Sequence, residues 1–390
     1  MKKNNLEFNN TKIAFNYKSN FDLKRAYFLF KLLSLGYISK FGRKLLKTLV
    51  WMNFPIDSLI KKTVYAQFCG GTDILDSVEV INNLKKNNVY SILDYSIEGS
   101  VNENDFENSI NKCLKILEEC KSKNLSKFIV FKPSAVGRFE LYEKITSNSV
   151  LSENESKEWS KVEIRFNKIC LEASKKDIMV LVDAEESWIQ TAIDELVTKM
   201  MNIYNSEKAV VFNTIQAYRK DRFDYLTKLH NDLKGSVKIG VKLVRGAYME
   251  KERKRAKKYN YISPICENKQ QTDEVFNNSL SFIIENINDF GLFVGSHNEK
   301  SNILATELLR KYKIDSNDQR IWFSQLYGMS DNISFTLANS GYNVAKYLPF
   351  GPVHEVMPYL MRRLDENSSI SSQTNRELQL IKKELKRRKN

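Results

Sequence analysis

The sequence predicts an α/β fold, a (β/α)8 TIM barrel preceded by an N-terminal helical arm, on three observations. From residue 88 onward short β-rich runs alternate with longer amphipathic ones. Eight such runs over about 280 residues match the size and order of an eight-stranded barrel. Nearly every run ends in a polar residue, as it must where strand ends line a site. A doubly wound sheet is the alternative architecture. If it bound a dinucleotide it would usually carry Gly-x-Gly-x-x-Gly after its first strand, and that pattern occurs nowhere.

The chain divides on this reading into residues 1–87, a helical arm, 88–368, the catalytic barrel, and 369–390, a basic helical tail. Residues 1–20 read as polar and loose. Residues 21–52 read as helix, with Phe28, Phe30, Leu32 and Leu33 mixed among Lys24, Arg25, Lys31 and Lys40. Such a segment packs on its own domain or lies on a membrane surface. Cys69-Gly-Gly-Thr72 marks a turn, and a helix covers roughly 73–87. The strand candidates are Tyr90–Tyr95, Lys127–Lys132, Ile178–Asp183, Ala209–Thr214, Lys238–Leu243, Leu292–Ser296, Ile321–Ser324 and Val344–Leu348. A clear helical stretch follows each except the seventh. After the eighth, a Gly-Pro loop leads into a helix from about Glu355. The tail carries Leu378, Ile381 and Leu385 at near-helical spacing among basic residues.

Composition narrows the function. The 390 residues are 42% hydrophobic, enough for a sizeable core, with 61 basic against 47 acidic side chains and a net charge of +14. That charge suits anionic ligands, an anionic membrane or nucleic acid. No aromatic residues interleave with the basic clusters and no RNA-module signature occurs, which argues against nucleic acid. Five cysteines, an odd number without Cys-x-x-Cys, predict reduced thiols and a cytoplasmic location. His354-Glu355 begins like a zinc-protease motif, but Pro358 stands where the second histidine would be, so no protein-held metal is expected. No run of about 18 apolar residues predicts a membrane span.

The strand ends nominate the chemistry. Strand two ends at Lys132, strand three at Asp183-Ala-Glu-Glu186, and strand four runs into Gln216. Strand five is Gly240-Val-Lys-Leu-Val-Arg-Gly-Ala-Tyr248, strand six ends in Ser296-His-Asn298 and strand seven near Gln325; strand eight holds Tyr347. A single buried polar end is as readily a structural ion pair. A polar end on almost every strand would cost about 1–3 kcal/mol each if unpartnered, so a polar-lined pocket explains them better. In the final helix Val356, Leu360 and Leu364 form an apolar face. Tyr359, Arg362, Arg363 and Glu366 form a second stripe at i, i+3, i+4 and i+7. An Arg-Arg pair is ordinarily a solvated face. At a strand-to-helix junction its donor fork suits a small carboxylate ligand.

Together these blocks resemble the proline dehydrogenase family over roughly residues 60–367. The matching stretches are Phe131-Lys-Pro-Ser-Ala-Val-Gly-Arg138, Asp183-Ala-Glu-Glu-Ser-Trp188, Thr214-Ile-Gln-Ala-Tyr218 and Val241-Lys-Leu-Val-Arg-Gly-Ala-Tyr248. Ser296-His-Asn298, Gln325-Leu-Tyr-Gly-Met329 and Tyr347 through Asn367 complete them. The resemblance implies a distorted (β/α)8 barrel with non-covalent FAD. It implies oxidation of L-proline to Δ1-pyrroline-5-carboxylate in proline catabolism, by hydride transfer from proline C5 to flavin N5, with a quinone as acceptor. Carried over by position, Arg362, Arg363 and Lys132 bind the proline carboxylate, and Glu366 pairs with Lys132. Tyr347, Tyr359 and Leu243 surround the ring. Asp183 stands at the reaction centre. Lys242, where some members have arginine, keeps a cation beside the flavin. Ala184, Gln216, Arg245, Gly246, Ala247, Tyr248, Thr272, Ser296, His297 and Gln325 are implied along the cofactor. A membrane quinone would make a peripheral membrane contact useful, with residues 21–52 and 377–390 as docking candidates.

Two rivals remain on residues alone. One is a Schiff-base aldolase using Lys132 or Lys242 as nucleophile. The other is a binding protein that uses its positive charge and holds no cofactor.

Overall fold

A computed structural model describes residues 6–34, 57–95, 102–369 and 371–390, without the side chains of 57, 365–369, 371 and 372. The expected helix beyond Ser34 therefore lies outside the described residues, as does the side chain of Glu366. Eight parallel strands run in sequence order around a closed barrel. They are β1 (Val89–Tyr95), β2 (Phe128–Phe131), β3 (Met179–Val182), β4 (Val211–Gln216), β5 (Ile239–Val244), β6 (Phe290–Gly295), β7 (Ile321–Leu326) and β8 (Val344–Phe350). Chain contacts group the residues into two compact units, 99–324, and 1–98 with 325–390.

In the unit 99–324, strand neighbours pair in fixed register, such as Val130↔Leu181, Thr214↔Lys242 and Lys242↔Phe293. Side chains alternate faces along a strand, and registered partners share one. One face therefore carries a stack of aromatics. Phe128 meets Trp322 with ring centroids 4.6 Å apart, and Phe293 meets both Phe128 and Phe212 at 5.2 Å. Gly240 makes room for this layer, because a Cβ there would strike the Val211 backbone and the Phe212 ring. These bulky residues fill the floor as layers of side chains do in such barrels. Further toward the strand ends on the same face stand Lys132, Asp183, Thr214, Gln216 and Lys242. The alternation thus changes from aromatic to polar toward the strand ends.

The helices of this unit start where their caps dictate. Ser152 and Glu155 form a capping box at the start of Glu153–Lys176, and Asn102, Asn268 and Asn298 cap Glu103–Ser122, Lys269–Glu285 and Glu299–Lys311. A buried polar network fastens two further helices, Ser187–Tyr204 and Arg222–Leu233, to β4. Asp194 accepts from Arg222 at 2.7 Å, Asn213 at 2.8 Å and Gln190 at 2.9 Å.

The unit 1–98 with 325–390 differs from expectation in three places. Residues 1–20 are not loose throughout: Asn10 caps a helix at Thr11–Phe15, and Phe8, Ala14 and Phe15 are buried. Polar composition concealed an apolar contact only a few residues long. The helix in the predicted span 73–87 is Val78–Lys86. β7 is followed by a nine-residue helix, Asp331–Asn339, all but its last residue buried; buried all round, it lacks the amphipathic signal that marks a surface helix. The tail helix Ser371–Arg387 packs on Asn20–Ser34 and buries Leu380 and Ile381. Beneath it lies a charge cluster. Asp331 pairs with Lys18 at 2.8 Å and Lys346 at 3.0 Å, and Glu377 accepts from the Ser330 backbone N–H. Burial alone would raise the Asp331 carboxyl, but the two ammonium groups outweigh it and hold it at about 2.

Candidate active site

Three strand ends of the unit 99–324 meet at Asp183. Its backbone N–H donates to Phe131 O at 3.0 Å, which sets the β3 end beside β2. Lys242 Nζ donates to Asp183 Oδ1, and Lys132 Nζ lies 3.6 Å from Oδ2. Both lysine side chains are 7% exposed and the aspartate 17%. One carboxylate thus stands between two buried ammonium groups at the edge of solvent. Such a cluster orients an anion and stabilises negative charge that develops nearby.

Next along the ring of strand ends, Gln216 Nε2 donates to Glu185 O at 3.1 Å. That bond fixes the amide's orientation and leaves Gln216 Oε1 buried without a hydrogen-bond partner among the described residues. Ala184, between Asp183 and Glu185, is nearly buried. After β5, Arg245 is clasped on several sides. It donates to Asp273 at 2.8 Å and to Ser296 Oγ and Ser301 Oγ at 2.9 Å, and its guanidinium lies 4.4 Å from the Phe276 ring. Burial pushes the Asp273 carboxyl up, but hydrogen bonds from Lys269 and Arg245 bring it below its usual range. Thr272 sits one residue earlier on the first turn of Lys269–Glu285. Gly246 has φ +128°, and a Cβ there would lie 2.5 Å from the Tyr218 ring. Only glycine fits both demands. Ala247 is exposed, while Tyr248 and His297 are half-buried.

The unit 1–98 with 325–390 holds the other expected residues. In the helix Val353–Ser369, Arg363 lies with its guanidinium 5.0 Å from the Tyr359 ring, both side chains buried, and Arg362 is half-buried. The start of this helix is anchored by Tyr95 donating to Glu355 and Tyr65 donating to Gly351 O, each at 2.8 Å. Tyr347, half-buried, alternates along β8 with Lys346, which turns to Asp331.

Two expected site residues point elsewhere. Leu243 is fully buried and, by strand alternation, lies on the opposite face of β5 from Lys242. Gln325 alternates with Ser324 along β7 and accepts from Ser334 Oγ at 2.7 Å, on the helix that follows. Each sits in a matching block, but a motif gives sequence position and the pleat gives direction.

Sequence reading passed over Glu185. Its buried carboxylate accepts from Ser134 N–H at 2.9 Å and Ser134 Oγ at 2.6 Å. Burial raises it to about 7 despite those two bonds. The signal available was its place two residues beyond Asp183 in an acidic run.

The proline dehydrogenase family model matches residues 77–376. The chain belongs to the proline dehydrogenase family. Among similar proteins is the carbapenem antibiotics biosynthesis protein CarD of Pectobacterium carotovorum subsp. carotovorum, 33% identical over 82% of this chain and 83% of that protein. Proline dehydrogenase 1, mitochondrial, of Dictyostelium discoideum is 32% identical over 99% of this chain and 75% of its own length. The corresponding Homo sapiens protein is 37% identical over 68% of this chain and 44% of its own. The crystal structure of proline utilization A (PutA) from Bdellovibrio bacteriovorus inactivated by N-propargylglycine superposes with a TM-score of 0.73 at 22% identity, covering 80% of this chain. The chain spans about a third of that protein, 34% of its length, and the likeness establishes the shared barrel. Membership of the proline dehydrogenase family makes the chain an oxidoreductase of proline catabolism.

Proposed function

We propose that this chain oxidises L-proline to Δ1-pyrroline-5-carboxylate with non-covalently bound FAD and passes the electrons to a quinone. The observation that carries the proposal is Asp183 held between Lys132 and Lys242 at the ends of β2, β3 and β5. The buried Gln216 Oε1 supports the flavin, since it is an acceptor awaiting the ring N–H that an isoalloxazine carries. Gly246 adds backbone without a side chain on the same rim.

FAD, when bound, supplies the two-electron acceptor for the C5–H bond. This chain's residues bind and order the substrate. Arg362 and Arg363 take the proline carboxylate, with Tyr359 and Tyr347 against the ring, and Lys132 adds a third cation. Asp183 orders the polar groups beside the amine, which must be neutral for its lone pair to assist C–H cleavage. Lys242 holds positive charge where electrons arrive. Arg245, Ser296 and His297 lie along the cofactor with Thr272. The aldolase alternative is disfavoured because both lysine Nζ atoms face the Asp183 carboxylate rather than an open site for a carbonyl carbon.

The test is direct. Purified protein, reconstituted with FAD if needed, should show bands at roughly 370 and 450 nm, and anaerobic L-proline should bleach them. A colourless protein, or a spectrum that proline leaves unchanged, refutes the reading. The quinone implies a cytoplasmic protein that visits the membrane surface. No helix among the described residues is long and apolar enough to cross a bilayer, and the net charge of +14 suits anionic lipid. Co-sedimentation with anionic vesicles checks this; no binding at low salt would refute it.

A further inference from the structure

We propose that Glu185 is a positioning residue for proline binding: its carboxylate pins the turn after β2 and so holds Lys132 on Asp183. The proposal rests on the reading of Lys132 as a substrate cation. The Lys132 carbonyl accepts from Ala135 N–H at 3.0 Å, closing a single 3-10 turn over Pro133–Ala135. Tyr142 donates to Pro133 O at 2.9 Å and Arg165 to Val136 O at 3.2 Å, so the turn is held from its far side. On the near side Ser134 reaches across to the β3 end. Both Glu185 oxygens are spent on it, one on its N–H and one on its hydroxyl.

The same residue also reaches β4. Glu185 N–H donates to Gln190 Oε1 at 3.2 Å, and Glu185 O accepts from Gln216 Nε2. One residue therefore ties the ends of β2, β3 and β4 together. Among the described residues, no basic side chain donates a hydrogen bond to its carboxylate. Burying it so is costly, and leucine would fill the volume without that cost. A group that weakens the fold while fixing the geometry of a binding cation is the pattern of a functional position.

The experiment uses flavin-loaded enzyme and four variants. Glu185→Ala should raise the KM for proline by about tenfold or more, with kcat within about threefold and flavin content unchanged. Glu185→Gln should rescue KM to within about threefold of wild type, because its Oε1 accepts from Ser134 N–H and its Nε2 donates to the hydroxyl. Lys132→Met should raise KM at least as much as Glu185→Ala. If Lys132→Met leaves KM unchanged, the reading of Lys132 falls. If it raises KM while Glu185→Ala does not, the reading stands and the inference falls. A Glu185→Gln defect as large as that of alanine overturns the pin in favour of charge, and so does a loss confined to kcat. Should Glu185→Ala fail to fold or lose flavin, Ser134→Ala removes one of the two bonds. It should raise KM about three- to tenfold; an unchanged KM overturns the inference.

Discussion

Replacing Asp183 by asparagine removes the negative charge that Lys132 and Lys242 share and leaves the volume almost unchanged. At 3.6 Å the Lys132 pair alone interacts by about 5 kcal/mol at an effective dielectric near 20, and the Lys242 contact is shorter. Desolvation offsets much of that attraction in the intact site. Removing one partner from a buried pair nonetheless costs about 3–5 kcal/mol, because the remaining cations keep their desolvation penalty. Unfolding entropy of about 2 cal/mol/K per residue over a chain of this length turns about 4 kcal/mol into a Tm loss near 5 °C. Proline turnover should fall further, with kcat/KM down by about 100-fold or more, since the two lysines no longer share a fixed anchor. Thermal unfolding followed by flavin fluorescence, with steady-state kinetics on the same preparation, reads both effects. A variant with Tm within about 1 °C and kcat/KM within about threefold of wild type would show that the cluster neither supports the fold nor orders the site.

Arg363→Ala should weaken proline use by about ten- to several hundred-fold, the worth of a charge-assisted hydrogen bond, while the protein stays yellow; unaltered kcat/KM would remove Arg363 from the carboxylate. Gly246→Ala forces a side chain into a positive-φ position 2.5 Å from the Tyr218 ring. Displacing that loop should lower flavin affinity by about tenfold or more, and an unchanged dissociation constant in a flavin titration would contradict it. Burial raises the Glu377 carboxyl from 4.5 to about 7. A raised folded-state value gives stability that is fully present below pH 4.5 and lost as pH rises through 7, by an amount on the order of 3 kcal/mol. Glu377→Gln should therefore match wild type near pH 4.5 and be more stable at pH 8. Denaturant titrations that give the same difference at both pH values would refute the assignment.

The sequence by itself determined the barrel, because period-two runs broken by period-3.6 stretches are a local property that survives without tertiary information. It also named Lys132 and Asp183, since a charged residue closing an apolar run stands out in one dimension, whereas Lys242, inside its run, was named through the family resemblance. It could not decide direction. Leu243 and Gln325 lie in matching blocks beside Lys242 and Ser324, yet the pleat turns neighbours to opposite faces, and only strand register tells which face is which. Nor could it reveal Glu185 as a clamp on Ser134, 51 residues away in the chain. A buried carboxylate acquires its meaning from what surrounds it, and the packing that excludes water from Glu185, Glu377 and Asp331 while supplying each a different set of donors and charges exists only in the folded chain.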